Sequence, residues 1–403
     1  MEAKQAFLWL RTLWMLIGVL LALFVSVELL VAGTDRRSQR LEEAALSELK
    51  MRAEPDQSWT EEYWRVGYPG IRREWHGYTL WTQGATTSKN LNIDELGRRK
   101  TINPGAESPN PIQIYTFGGS TGLGVGQRDE HTIQSELSRL LFESGRRVAI
   151  INMSVFAYVS TQETLQLIRQ LSQGMRPDVV VFLDGLNEVD SALENGGSAG
   201  DPFQENERTY RLVASRNLYG LMGLAAHESA VLRRLGMRLD EPHLQAQRAN
   251  FAPYPPEDAE RLIADIVRDY AANIEVVEGL GIRYGFQSVF FWQPTVHKKK
   301  QLSALEKEMV AKNLYHLGVI NAAFFSSVST GVSRALTSNP DFHNVDDLFV
   351  FKDNKVNDYC DLRHYTESGA RQIAEAMFSS VSRAVDAAVK RKQSARDAIG
   401  AVK

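Results

Sequence analysis

The sequence predicts an α/β protein: a three-layer α/β/α domain built on a parallel sheet and preceded by one N-terminal transmembrane helix. Three observations carry this. Short apolar runs rich in β-branched residues alternate with amphipathic helical stretches, the rhythm of right-handed βαβ units with both sheet faces covered. At least one of those runs, Asp178 to Asp184 (DVVVFLD), is apolar almost without interruption, as a strand buried on both faces requires. The run Leu13 to Gly33 is apolar nearly throughout, long enough to cross a hydrocarbon core of roughly 30 Å.

In that first segment Glu28 is the one ionisable residue, placed near the outer end, with Trp9 and Trp14 at the other end as interface anchors. Its length favours an uncleaved anchor over a signal peptide, whose apolar region is shorter. Lys4 and Arg11 precede the span and Arg36, Arg37 and Arg40 follow it, so charge alone does not orient it. A long domain behind a first anchor is ordinarily translocated, and the expectation is a single-pass membrane protein with its globular part outside the cytoplasm, in the periplasm or its equivalent.

The expected elements then follow in order. Residues 1–34 form the anchor, and 35–50, with mixed charges and leucines at helical spacing, form a helical stalk. Residues 51–111, rich in Trp, Tyr, Gly, Pro and Asn, read as a flap of irregular structure and short strands. The main domain occupies 112–390. Its strands are expected at Ile112–Phe117, Val148–Asn152, Asp178–Asp184 and Phe286–Trp292. Its helices are expected at about 132–144, 161–173, 256–279 and from Glu367 into the 380s. Residues 195–256 break the rhythm and read as an insertion or lid, and 391–403 as a tail.

Composition narrows the function. The net charge of −3 excludes a generalised nucleic-acid surface, and no nucleic acid is expected as a partner; the run Lys298 to Lys300 reads as a solvated loop. The single cysteine, Cys360, excludes an intramolecular disulfide and a cysteine-based zinc site, and reads as a small buried residue. His131, His227, His243, His297, His316 and His343 show no metal-ligand spacing and read as surface or packing residues.

In an open parallel sheet, ligands gather at the carboxyl ends of the strands. There the sequence places Ser120 after the first strand, Asn152 and Ser154 after the second, and Asn187 after the third. Asp361 and His364 stand just before the last helix. A serine hydroxyl needs an adjacent base to act as a nucleophile, and the base needs an orienting group. Asp361-x-x-His364 supplies both from one loop, the carboxylate fixing the imidazole tautomer. The Ser120 backbone N–H and the Asn187 side chain are candidate donors to an oxyanion. Ser120 as a mere helix N-cap, or the run Gly118 to Gly126 as a phosphate loop, explains less: the second lacks the lysine of a P-loop. A G-x-S-x-G elbow is also missing. Asp184 and Glu188 read as local hydrogen-bond partners, and the Asn152-Met153-Ser154 sequon as a buried strand end.

These residues resemble the SGNH (GDSL-like) hydrolase family. Phe117-Gly118-Gly119-Ser120-Thr121 is similar to its first block, Asn152 to Ser160 to its second, Asp184-Gly185-Leu186-Asn187-Glu188 to its third, and Asp361-x-x-His364 to its fifth. In the second block Ala157 stands where the family has a glycine whose N–H completes the oxyanion hole, and in the third Glu188 replaces the usual Asp. Leu91 to Arg98 and Gln293-Pro294 look like segments of bacterial, membrane-tethered members, some linked to polysaccharide modification. The likeness runs from about residue 90 to 385. It implies a flavodoxin-like sheet, a Ser120–His364–Asp361 triad, and an oxyanion hole of Ser120, Ala157 and Asn187. The implied chemistry calls for no cofactor and no metal. Three functions are consistent with it. The first is a serine esterase acting on acyl esters, acetyl groups of a polysaccharide among them. The second is an O-acyltransferase using the same residues on an exported polysaccharide. The third is a non-catalytic partner that binds glycan or a membrane complex. An alanine at 157 keeps its N–H; it is relaxed at negative φ and strained at positive φ.

Overall fold

The computed structural model describes residues 2–54, 56, 58–195, 199–203, 229, 231, 256–311, 322–350 and 355–400. The chain divides into two compact units, Met1–Leu46 with Arg208–Gln245, and Ser47–Glu207 with Ala246–Lys403.

The first unit is dominated by helix α1 (Glu2–Met51), whose last residues belong to the second unit. Its stretch Phe7–Thr34 is long and apolar enough to cross a membrane, and none of its most apolar window is buried in the protein. Trp9 and Trp14 are exposed. Glu28 accepts hydrogen bonds from Ser229 Oγ at 2.7 Å and the Val231 N–H at 3.1 Å, a partnership that the sequence reading did not foresee. Apart from 195, 199–203, 229, 231 and 256, the expected insertion or lid at 195–256 lies outside the described residues.

The second unit is the expected α/β/α domain. Its sheet contains β5 (Ile112–Gly118), β6 (Val148–Asn152), β7 (Val179–Asp184), β8 (Gln287–Trp292) and β9 (Phe342–Asn344), in the order β6-β5-β7-β8-β9. Every pairing is parallel. This is the flavodoxin-like order, with its switch point between the first strand and its two neighbours. The four expected strands fall within one residue of their expected bounds. β9 went unread, because three half-buried residues, FHN, leave no periodic signal.

Alternation in the strands sends side chains to the two faces. Val179, Val181 and Leu183 join one core cluster with Ile114, Leu137 and Ile373; Val180 and Phe182 join the other with Phe117, Leu167, Ile274 and Val328. Helices α2 (Ile133–Glu143) and α8 (Glu367–Gly400) supply the first face; α3 (Ser160–Ser172), α5 (Pro256–Tyr284) and α7 (Ala322–Ala335) supply the second. Helix α4 (Leu186–Glu194) follows β7, and α6 (Ala304–Ala311) follows the β8 loop. Thr132 caps α2 by accepting the Ser135 N–H. Two helices run past their expected ends, α5 to Tyr284 and α8 to Gly400, so most of the expected tail is helical.

The flap carries two short antiparallel pairs, β1 (Arg73–His76) with β2 (Leu80–Gln83), and β3 (Thr86–Thr87) with β4 (Asn92–Ile93). Arg99 ties it to the main domain. Its guanidinium is fully buried and bonds Asp129 Oδ1 at 2.9 Å and the Gln127 carbonyl at 2.9 Å, in the loop that follows Ser120. Asn92 reinforces the same carboxylate through its Nδ2 at 2.6 Å and its N–H at 3.1 Å. Removing one partner of a buried ion pair leaves the other charged and unpaired. Arg99→Met should therefore cost about 3–5 kcal/mol, read as a lower urea midpoint by tryptophan fluorescence. A loss below about 1 kcal/mol would show that the pair does not hold the flap.

Candidate active site

The β5 strand ends at Gly118, and Ser120 begins a single helical turn, Ser120–Leu123, closed by Gly124 in the left-handed conformation. Gly119 is a glycine for steric reasons: a β-carbon there would lie 2.0 Å from Asn187 Nδ2. The turn after β6 is stapled to the same edge. Val155 N–H donates to the Gly118 carbonyl at 2.9 Å, and Asn152 Nδ2 to the Gly122 carbonyl at 2.9 Å. Thr121 Oγ1 donates to Gln293 Oε1 at 2.6 Å, which gives the Gln293-Pro294 segment a role beside the serine. Asn152 and Ser154 are both buried, as the sequon's strand-end reading expects.

The three residues expected to act together do meet. His364 Nε2 lies 2.8 Å from Ser120 Oγ, and His364 Nδ1 lies 2.9 Å from Asp361 Oδ2 and 3.0 Å from Oδ1. An ionised carboxylate only accepts, so Nδ1 carries the hydrogen and Nε2 presents a lone pair to the hydroxyl. The Asp361 loop is preorganised by its own backbone: Oδ1 accepts the N–H groups of Arg363 and His364, each at 2.8 Å, and Cys360 N–H donates to the His364 carbonyl at 2.9 Å. Burial by itself would raise the Asp361 pKa. The electrostatic pull of His364 and of the Lys50 ammonium, with the bonds from His364 and the Arg363 N–H, outweighs burial and holds it well below the usual carboxylate range. Cys360 is buried, as expected, and burial pushes its thiol well up.

The expected oxyanion donors line the same edge. Asn187 Nδ2 packs against Gly119 and spends one hydrogen on the Tyr158 carbonyl at 2.7 Å, leaving its second hydrogen for a ligand. Among the described residues, the N–H groups of Ser120 and Ala157 donate to no protein acceptor. Ala157 sits at φ 60°, the left-handed region that a side chain disfavours. Its neighbours hold it there. Trp81 Nε1 donates to the Phe156 carbonyl at 2.8 Å, and the Tyr158 hydroxyl bonds Thr79 Oγ1 at 2.7 Å and the Trp81 carbonyl. The flap hairpin thus grips both sides of the turn.

Three features escaped the sequence reading. Lys50, in the last turn of α1, places its Nζ 3.2 Å from Asp361 Oδ2. Arg363 pairs with Asp190 at 3.2 Å. Glu163, Asp184 and Glu188 form a buried acid cluster beneath the third block. Glu188 accepts the N–H groups of Gly185 at 2.7 Å and Ser160 at 2.8 Å, which is the local partnership expected of it. Burial first, and the charge of their acidic neighbours second, push the Glu163 and Asp184 carboxyls well above the usual range. Of the remaining histidines, His131 bonds Glu136, His297 stacks on Phe325 and His343 lies against Phe291; His227, His243 and His316 lie outside the described residues.

No family model and no curated protein matches the chain. Among solved structures, an acetyl xylan esterase, AlAXEase, is 15% identical, with 67% of this chain and 100% of that one covered and a TM-score of 0.36. A lipase from a goat rumen metagenome is 12% identical, covering 67% and 97%, with a TM-score of 0.39. An extracellular lipase from Streptomyces rimosus is 13% identical, covering 68% and 99%, with a TM-score of 0.31.

The conformation of Ala157 has a measurable consequence. A left-handed alanine costs about 1–2 kcal/mol, and glycine removes that strain while adding about 0.5–1 kcal/mol of unfolded-state entropy. Ala157→Gly should therefore be neutral to stabilising, by up to about 1 kcal/mol in a denaturant melt. A loss of about 1 kcal/mol or more would show that the turn is relaxed with alanine in place.

Proposed function

We propose that the protein is a membrane-anchored serine ester hydrolase of the SGNH type, acting on acyl esters, with acetylated polysaccharide as the substrate class that the sequence likeness suggests. The observation that carries this reading is the unbroken hydrogen-bonded line from Asp361 through His364 to Ser120 at the carboxyl edge of the sheet.

In the proposed mechanism His364 Nε2 takes the Ser120 proton as Oγ bonds to the acyl carbon, and Asp361 stabilises the imidazolium that results. The carbonyl oxygen becomes an oxyanion facing the Ser120 and Ala157 N–H groups and the free hydrogen of Asn187 Nδ2. Collapse expels the alcohol, which takes its proton from His364 and leaves an acyl-serine. Water, deprotonated by the same imidazole, releases the acid. A glycan hydroxyl entering in place of that water would make the same residues an O-acyltransferase.

Activity on p-nitrophenyl acyl esters tests the assignment. Ser120→Ala and His364→Ala should each lower kcat by at least about a thousandfold, and the double variant should be little worse, because residues acting as one unit do not lose their effects additively. Asn187→Ala should lower kcat by about 10²–10³-fold with little change in KM, since its donor matters once charge develops. Near-normal turnover by Ser120→Ala, or no labelling of Ser120 by a fluorophosphonate, would end the esterase reading in favour of a binding partner. Product analysis with an added glycan separates hydrolysis from transfer.

The reading also places the Phe7–Thr34 stretch across a membrane with the catalytic unit outside the cytoplasm. Protease added to intact spheroplasts should digest that unit. Full protection until lysis would reverse the orientation.

A further inference from the structure

Lys50 is buried, with its side chain 6% exposed, and its ammonium lies 4.7 Å from the Trp64 ring centroid and 5.4 Å from that of Tyr68. A buried cation packed over two neighbouring aromatic rings beside a carboxylate is fixed in place rather than free to swing through water. It contacts Oδ2 of Asp361, the same oxygen that lies 2.9 Å from His364 Nδ1; Oδ1 is occupied by two backbone N–H groups. Asp361 is fully buried, and a buried carboxylate that loses a cationic partner must either take up a proton or turn toward other donors.

We propose that Lys50 is a positioning residue of this same site, fixing the Asp361 carboxylate that orients His364, so that the working line is Lys50–Asp361–His364–Ser120. The proposal rests on the esterase reading above. Lys50 shares Oδ2 with His364, so it also sets how much negative charge remains for the imidazolium. Without the cation, more of the carboxylate's charge acts on the imidazole, and the pH dependence of the reaction is the readout of that change.

The titratable groups facing this pair are His364 and Cys360 from the Asp361 loop and Tyr68 from the flap, with Arg73 beside Tyr68 and Glu54 beside Cys360 at one remove. Burial raises both the Tyr68 phenol and the Cys360 thiol, so both stay neutral through the working range. Burial also lifts the Glu54 carboxyl to about 7, so Glu54 titrates in the same window and has to be silenced in the test.

The experiment measures p-nitrophenyl acetate hydrolysis by the full chain in detergent micelles, with the profile recorded in a Glu54→Gln background. Lys50→Met should lower kcat about tenfold, as expected for loss of one orienting contact, with KM little changed. The acid limb of kcat/KM should move to higher pH by about half a unit to one unit. Lys50→Arg should restore most of both. In an Asp361→Asn background Lys50→Met should cost nothing further, because its partner charge is gone. If Lys50→Met fails to fold, Lys50→Gln carries the same arms. An acid limb unchanged by removal of the cation, or an equal loss in the Asp361→Asn background, overturns the proposal. Failure of the underlying reading is told apart by Ser120→Ala: hydrolysis that survives that change overturns the esterase, whereas a wrong role for Lys50 leaves hydrolysis dependent on Ser120.

Discussion

At the end of β5 the chain has no room for a side chain at Gly119, because Asn187 Nδ2 occupies the place a β-carbon would take. The rest of the edge depends on this close approach. It lets the loops after β5 and β7 come into contact, and the Asn187 bond to the Tyr158 carbonyl ties the turn after β6 to the same side chain. Three loops from three strands meet at one amide. The parallel order β6-β5-β7 makes this possible, since the loops after the central strand and its two neighbours leave the sheet side by side. The proposed catalytic geometry is a consequence of strand order first and of side-chain chemistry second.

The flap is part of this edge. Arg99 and Asn92 anchor it to the loop beyond Ser120 through Asp129, and Tyr63 adds a second tie by accepting the Gly126 N–H at 2.8 Å. The β1–β2 hairpin then grips Phe156 and Tyr158 on either side of Ala157. A residue in a disfavoured region of φ persists only where its surroundings over-determine it. Here they do, and the strain at Ala157 is held by bonds that also aim the turn.

How much of this was legible in the sequence follows from where the information sits. β5 and β7 announce themselves by composition, and Ser120, Asn187, Asp361 and His364 by their positions at strand ends and in one short loop. Lys50 was illegible, because it ends a stalk helix of mixed charge and meets Asp361 from the opposite end of the chain. Glu163 was hidden for a related reason: within the helix STQETLQL an acidic residue looks outward-facing, and only packing against Asp184 shows that it points inward. β9 was too short to show a period. The φ of Ala157 depends on Trp81 and Tyr158 holding its neighbours, which no local pattern records.

The distribution of charge around the edge follows one logic. On the side of Asp361 the fold supplies a buried cation, and the carboxylate stays ionised. On the side of Asn187 it supplies three buried acids, Glu163, Asp184 and Glu188, and burial works against ionising all of them. Fully ionised, that cluster would set negative charge behind the very amide proposed to meet an oxyanion. Burial and acidic neighbours push the Glu163 and Asp184 carboxyls up, against that opposition, while Glu188, bonded to the Gly185 and Ser160 N–H groups, ties together the turns that carry Tyr158 and Asn187. Burial acts on both halves of the proposed site: at Asp361, His364, Lys50 and hydrogen bonds together outweigh it, and at Glu163, Asp184 and Glu188 it outweighs the hydrogen bonds they receive.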